Sequence, residues 1–173
     1  MSDLLAWALH NARRQTLTLI DGVSEEQRSE RITPGEQHPA WILGHLLLGD
    51  VYLLSLLGVE GLPQDFAALL AAYGPAATPD QTMAVGEPMD VVVDRLIRTG
   101  TARCDAVRRM SVEDLSRPTP DDLLATSQPT IGHHLQVLVF HEGYHGGQLA
   151  AWRRSHGLPP VRWVAAPEGE GGG

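Results

Sequence analysis

The stretch from Pro39 to Gly58 is apolar around most of its circumference, and few folds accommodate a segment of that kind. It reads as one helix that opens on proline, where the missing N–H is no loss. A helix apolar on nearly every side is either a membrane span or the buried member of a bundle. Asp50 lies near its middle, where a bilayer interior would cost about 2.5–3.5 kcal/mol, and no second span follows. The segment is therefore read as a bundle helix, with no membrane partner expected. One bundle seam is not expected to cover Trp41, Tyr52 and Leu56 together. That surplus apolar surface points to a partner subunit, and so to a homodimer.

Three further segments carry helical periodicity. The first runs from Asp3 to Asp21, with Leu5, Leu9, Ala12, Thr16, Leu19 and Ile20 on one stripe, Ser2 as its cap and Gly22 as its stop. The next runs from Pro88 to Met110, with a stripe of Val93, Ile97, Gly100, Cys104 and Val107. The last opens at Thr130 and ends before Gly157. No clear alternating strand appears. The expected fold is all-α, a four-helix bundle with long loops and short extra helices. One domain is expected over residues 1–165, followed by a flexible glycine-rich tail over 166–173.

The connections differ in character. Ser24-Glu25-Glu26-Gln27 has the pattern of a capping box and predicts one helical turn. The long stretch from Val59 to Glu87 is rich in proline and glycine, and Phe66-Ala67-Ala68-Leu69-Leu70 within it predicts a short helix covering one end of the bundle. Ser111 to Pro129 carries Asp121-Asp122-Leu123-Leu124. These two long loops are expected to shape a pocket mouth.

Composition narrows the chemistry. The formal charge of −8 argues against a nucleic-acid surface, which is normally basic. All thirteen basic residues are arginine, which excludes lysine nucleophiles and Schiff bases on lysine. The single Cys104 forms no disulfide within the chain and reads as an inert core thiol. With no basic-then-apolar leader in view, a cytoplasmic location is expected.

His141 and His145 stand four residues apart in His141-Glu142-Gly143-Tyr144-His145-Gly146-Gly147-Gln148, so both imidazoles leave one face of the last helix. The pentapeptide also fits the H-E-x-x-H pattern of zinc proteases, with Glu142 as general base. The third histidine of a metzincin would fall at Ala151, however, and the carboxylates downstream, Glu168 and Glu170, lie in the tail. A better third ligand is His45, a lone imidazole in the apolar second helix. An unpaired polar ring buried there would cost on the order of 1–3 kcal/mol, and something must compensate for it. Facing helices of a bundle commonly assemble a metal site, and three imidazoles leave coordination open for water or substrate. His134 falls on the same stripe two turns before His141 and is assigned to the rim or surface. His133 points elsewhere; His10, His38 and His156 are read as surface residues.

Gly44-His45 on one helix, then His141-x-x-x-His145-x-Gly147-Gln148, with basic residues and Gly157-Leu158-Pro159 after it, resembles the DinB-like superfamily. That group of metal-dependent bundle proteins includes bacillithiol transferases and mycothiol-dependent maleylpyruvate isomerases. The resemblance extends from the first helix to about Pro160. It implies a four-helix bundle in which His45, His141 and His145 bind a divalent metal.

Three nitrogen ligands suit zinc, nickel, iron or cobalt. The resemblance implies a metal-dependent transferase using a small thiol cosubstrate and an electrophilic small molecule. A non-enzymatic metal-binding, stress-related bundle and a metal-dependent hydrolase remain open beside it. Glu142 lies roughly 100 degrees around the helix from His141, so it is a candidate acid/base or supporting group beside the ion, or else a carboxylate facing water. Tyr144 and Gln148 are further supporting candidates.

Overall fold

A computed structural model describes residues 1–59, 66–77, 87–120 and 125–161. Its four long helices are α1 (Ser2–Ile20), α2 (Pro39–Leu56), α4 (Met89–Arg108) and α6 (Ile131–Ser155). Between them lie a 3-10 turn at Gln27–Ser29, α3 (Phe66–Tyr73) and α5 (Val112–Ser116). Among the described residues there is no strand, only an isolated bridge between Pro118 and Thr130. The fold is an all-α bundle. The segments Asp121-Asp122-Leu123-Leu124 and 166–173 lie outside the described residues.

The helix directions follow from the contacts. Cys104 reaches the carbonyl of Ala6 while Arg13 reaches that of Leu96, so α1 and α4 run antiparallel. Arg13 meets Glu142, and Arg153 donates to the carbonyls of Leu19 and Asp21, so α1 and α6 run parallel. His45 meets His141, while Leu53 shares a core cluster with Ile131 and Leu135, so α2 opposes α6. The order is up, down, down, up. Parallel α2 and α4 require a long crossover, and the connection carrying α3 supplies it.

Local signals explain the helix ends. Thr130 caps α6 by accepting from the His133 N–H, and Ser111 with Asp114 closes a reciprocal box at α5. Ser24 and Gln27 exchange the bonds of their own box ahead of the 3-10 turn. At α1 the expected cap fails: Met1 takes that position without a side-chain bond, and Ser2 is already helical. Gly22 follows the helix at a φ of 75°, the left-handed region in which glycine is at ease.

The bundle seams hold more polar side chains than periodicity suggests. In α1 the buried stripe is Ala6, Leu9, Arg13, Thr16 and Ile20, so an arginine sits where Ala12 was expected. In α4 it runs through Val92, Leu96, Thr99, Arg103 and Val107, whereas Ile97 is 48% exposed. Of the expected stripe, Gly100, Cys104 and Val107 are buried and Val93 is half-buried, whereas Leu96 takes the inner position in place of Ile97, and Thr99 and Arg103 join the buried face.

Pro39–Leu56 is long and apolar enough to cross a bilayer, yet 67% of it is buried inside the bundle. Part of its remaining surface meets α3. Helix α3 lies along α2, with Phe66 stacked on Tyr52 at 6.1 Å and Tyr73 against Gly44. Part of the surface that suggested a partner subunit, at Tyr52, is thus met by Phe66 of α3. His38 and His134 also depart from expectation. His38 is fully buried and its Nδ1 accepts from the Trp41 N–H at 3.2 Å, which caps α2. His134 is buried, bonded to Gln128 and edge-on to Tyr52. His156 is half-buried, stacked on Trp152. Cys104 is buried in the α1–α4 seam, where burial pushes its thiol pKa up, as befits an inert thiol.

Candidate metal centre

Helices α2 and α6 bring three imidazoles to one point. His141 Nε2 lies 3.0 Å from His45 Nε2 and 3.1 Å from His145 Nε2. One candidate ligand atom from each residue lies within 4.8 Å of the others. Nitrogens bound to a single ion at about 2.1 Å are at most about 4.2 Å apart, and both short separations satisfy that limit.

The outer nitrogens set the proton positions. His45 Nδ1 is 2.6 Å from the carbonyl oxygen of Tyr73, which accepts only, so Nδ1 carries the proton. His145 Nδ1 is 2.6 Å from Gln148 Oε1, and the Gln148 amide group donates to Gln37 at 3.3 Å, which orients its oxygen toward the histidine. Both rings therefore turn an unprotonated Nε2 inward. His141 Nε2 has one proton at most, so it satisfies at most one of these two lone pairs. A convergent set of nitrogen lone pairs with tautomers held by carbonyl oxygens is what a divalent ion requires.

Burial keeps the rings neutral. It pushes His141 down to about 4, assisted by the neighbouring His45. It pushes His145 down to about 4 as well, with His141 and His45 adding to the effect and the Gln148 bond opposing it. His45 is lowered by burial against the opposing bond to Tyr73. His145 is buried, while His45 and His141 are half-buried, so the cluster meets solvent on one side. Trp41 stacks on His45 at 4.7 Å and meets His145 edge-on at 6.4 Å. The exposed Tyr144 ring lies 5.2 Å from His145.

Glu142 turns the other way around α6. It is 2% exposed, which removes the water-facing alternative. Oε1 accepts from Arg13 Nε, and Oε2 from Arg13 Nη2 at 3.2 Å and Arg103 Nη2 at 3.4 Å. Asp50 completes the cluster, accepting from Arg13 Nη1 at 2.8 Å, from the Thr99 hydroxyl at 2.8 Å and from Arg103. Two arginines and two carboxylates thus cancel in a buried cluster to which all four long helices contribute. A general base in the zinc-protease manner needs a carboxylate oxygen free to take a proton from water beside the ion. Here both oxygens face guanidinium donors.

Sequence reasoning placed His45, His141, His145 and the supporting Gln148. It missed Tyr73, Gln37 and Trp41, together with Arg13, Thr99 and Arg103. Arg13 alone left a local trace, four residues after Leu9 and three before Thr16 on the buried stripe.

No curated protein matches the chain. The family model described as the DinB superfamily matches residues 8–149, a span that holds the histidine cluster and the buried charges. The chain belongs to the DinB superfamily.

Proposed function

We propose that His45, His141 and His145 bind a divalent transition metal, and that the protein uses this centre to transfer a small thiol to an electrophilic small molecule. The observation that carries the metal reading is the fixed tautomers: Tyr73 and Gln148 oblige His45 and His145 to present lone pairs toward His141. Three imidazoles supply the ligand number of catalytic rather than closed structural sites, and the half-buried His45 and His141 leave the cluster in contact with solvent. When bound, such an ion supplies Lewis acidity that makes a thiol or water more acidic near neutral pH.

The residues of the chain perform the remaining tasks. Tyr73 and Gln148 hold two rings in place, while Trp41 shields His45 from water on one side. The overall conversion joins the thiol sulfur to the electrophilic carbon. The thiol proton and the leaving group, which departs with its bonding electrons, are released together. Thiol transfer is favoured because the superfamily includes thiol-dependent transferases and isomerases. The hydrolase reading loses support from the engagement of Glu142 by Arg13 and Arg103.

The test is a panel of small thiols and electrophiles, run with the metal-free protein and after restoring zinc, nickel, iron or cobalt one at a time. Metal-dependent thioether formation that disappears in His45→Ala supports transfer. Stoichiometric metal binding with no reaction in the panel would favour a storage or sensing bundle instead.

A further inference from the structure

Six of the nine buried residues of α6 follow the alternating three-and-four spacing of a heptad seam: Leu135, Leu138, Glu142, His145, Leu149 and Trp152. Two of these seam positions are polar, and they are adjacent. Apolar packing tolerates small rotations of a helix because it has no direction, whereas a carboxylate gripped by two guanidinium groups does not. In coiled coils, a single buried polar residue in the seam is the best-attested device for fixing register, at some expense in stability.

Helix α6 needs such a device. His141 and His145 are separated by roughly 40 degrees around the helix, and Glu142 stands roughly 100 degrees from His141. A ring nitrogen about 6–7 Å from the helix axis moves roughly 1 Å when the helix turns by 10 degrees. That displacement is a large part of the 3.0 and 3.1 Å spacings within the histidine cluster. The guanidinium groups are themselves anchored: Arg13 donates to the Leu96 carbonyl at 2.9 Å, and Arg103 to that of Leu9 at 3.2 Å. Asp50 then ties both arginines to α2, the helix that supplies His45.

We infer that Glu142 is a positioning residue: gripped by Arg13 and Arg103, it sets the rotation of α6 so that His141 and His145 converge on His45. This rests on the reading of the histidines as a metal centre, and it gives the buried charges a role separate from stability.

The two roles part in one experiment. Replacing a buried ion cluster by apolar residues of similar size is often neutral or stabilising. The variant Arg13→Met/Asp50→Leu/Arg103→Met/Glu142→Leu is compared with the native chain for melting temperature, helicity and cobalt affinity, with visible absorption of the bound cobalt as a geometric readout. Expected is a helical protein of native or higher melting temperature that binds cobalt about ten- to a hundredfold more weakly, with an altered spectrum. Native affinity and spectrum in that folded variant would overturn the inference. If the fourfold variant does not fold, Glu142→Gln carries the test: weaker binding with a changed spectrum in a helical chain supports positioning, and native values overturn it. Absence of cobalt binding by the native protein would instead defeat the metal reading, and this inference with it.

Discussion

The main-chain oxygen of Tyr73 accepts a hydrogen bond from His45 Nδ1 at 2.6 Å, while the Tyr73 ring fills the space beside Gly44 on the preceding position of α2. One residue of α3 thus supports His45 and rests in a notch that only glycine leaves open. A Cβ at Gly44 would stand 2.1 Å from Tyr73 Cε1 and 2.3 Å from Cζ. This explains why glycine precedes the histidine in a helix where alanine would otherwise be favoured by about 1 kcal/mol.

Gly44→Ala is therefore expected to displace Tyr73 and loosen His45. The variant should lose about 1–3 kcal/mol of stability, the usual cost of forcing a methyl group into a packed interior. Metal affinity should fall with it. Urea denaturation and metal titration check both effects, and unchanged values would show that α3 moves aside freely.

Purified without chelators, the protein should carry about one divalent transition metal per chain, since one cluster of three imidazoles is present among the described residues. His45→Ala and His141→Ala should each abolish most of it. Elemental analysis reads this directly. Full occupancy in His45→Ala would transfer the site to α6 alone and restore the H-E-x-x-H reading.

Removing the ion should leave the bundle helical. The core clusters of Leu43, Leu47 and Leu96, and of Leu9, Leu53 and Leu135, are built from apolar side chains and include none of the three histidines. Unlike small zinc domains, whose folding depends on the ion, this chain has a core of its own. Circular dichroism after chelation should show retained helicity with a lower melting temperature. Loss of most of the helical signal at room temperature would make the ion structural.

Asp50 predicts a specific acid response. Burial alone would raise its pKa, but Arg103 and Arg13 together outweigh burial and hold it below the ordinary 3.8. A carboxyl depressed in the folded state contributes stability above its unfolded pKa, and that contribution is lost as pH falls through the folded value. Asp50→Asn should cost about 3–5 kcal/mol near neutral pH, because it leaves buried arginines short of a counter-charge. The gap between native protein and variant should persist from pH 7 to 5 and narrow below 3.8. Urea midpoints for both chains across this range test it; a gap that stays constant down to pH 2 contradicts the assignment.

Much of the helical frame was legible in the chain. Pro39 and Thr130 mark helix starts, Gly22 and Gly157 follow helix ends, and apolar spacing covers the segments between them. The histidines were legible for the same reason. A four-residue spacing places His141 and His145 on one face whatever surrounds them, and an imidazole amid the apolar residues of α2 demands a partner.

The buried charges were not legible in this way. Arg13, Thr99 and Arg103 look like ordinary polar residues, because periodicity ranks side chains by their average preference for water. Their burial depends on carboxylates contributed by other helices. The sequence by itself determined which segments are helical and which imidazoles can meet. Only the tertiary structure decided that Glu142 faces two arginines, that α3 covers α2, and that His38 and His134 lie inside. Helix formation is governed by neighbours a few residues away. Ion pairing and shielding from water depend on which distant segments come to lie side by side, and at what rotation.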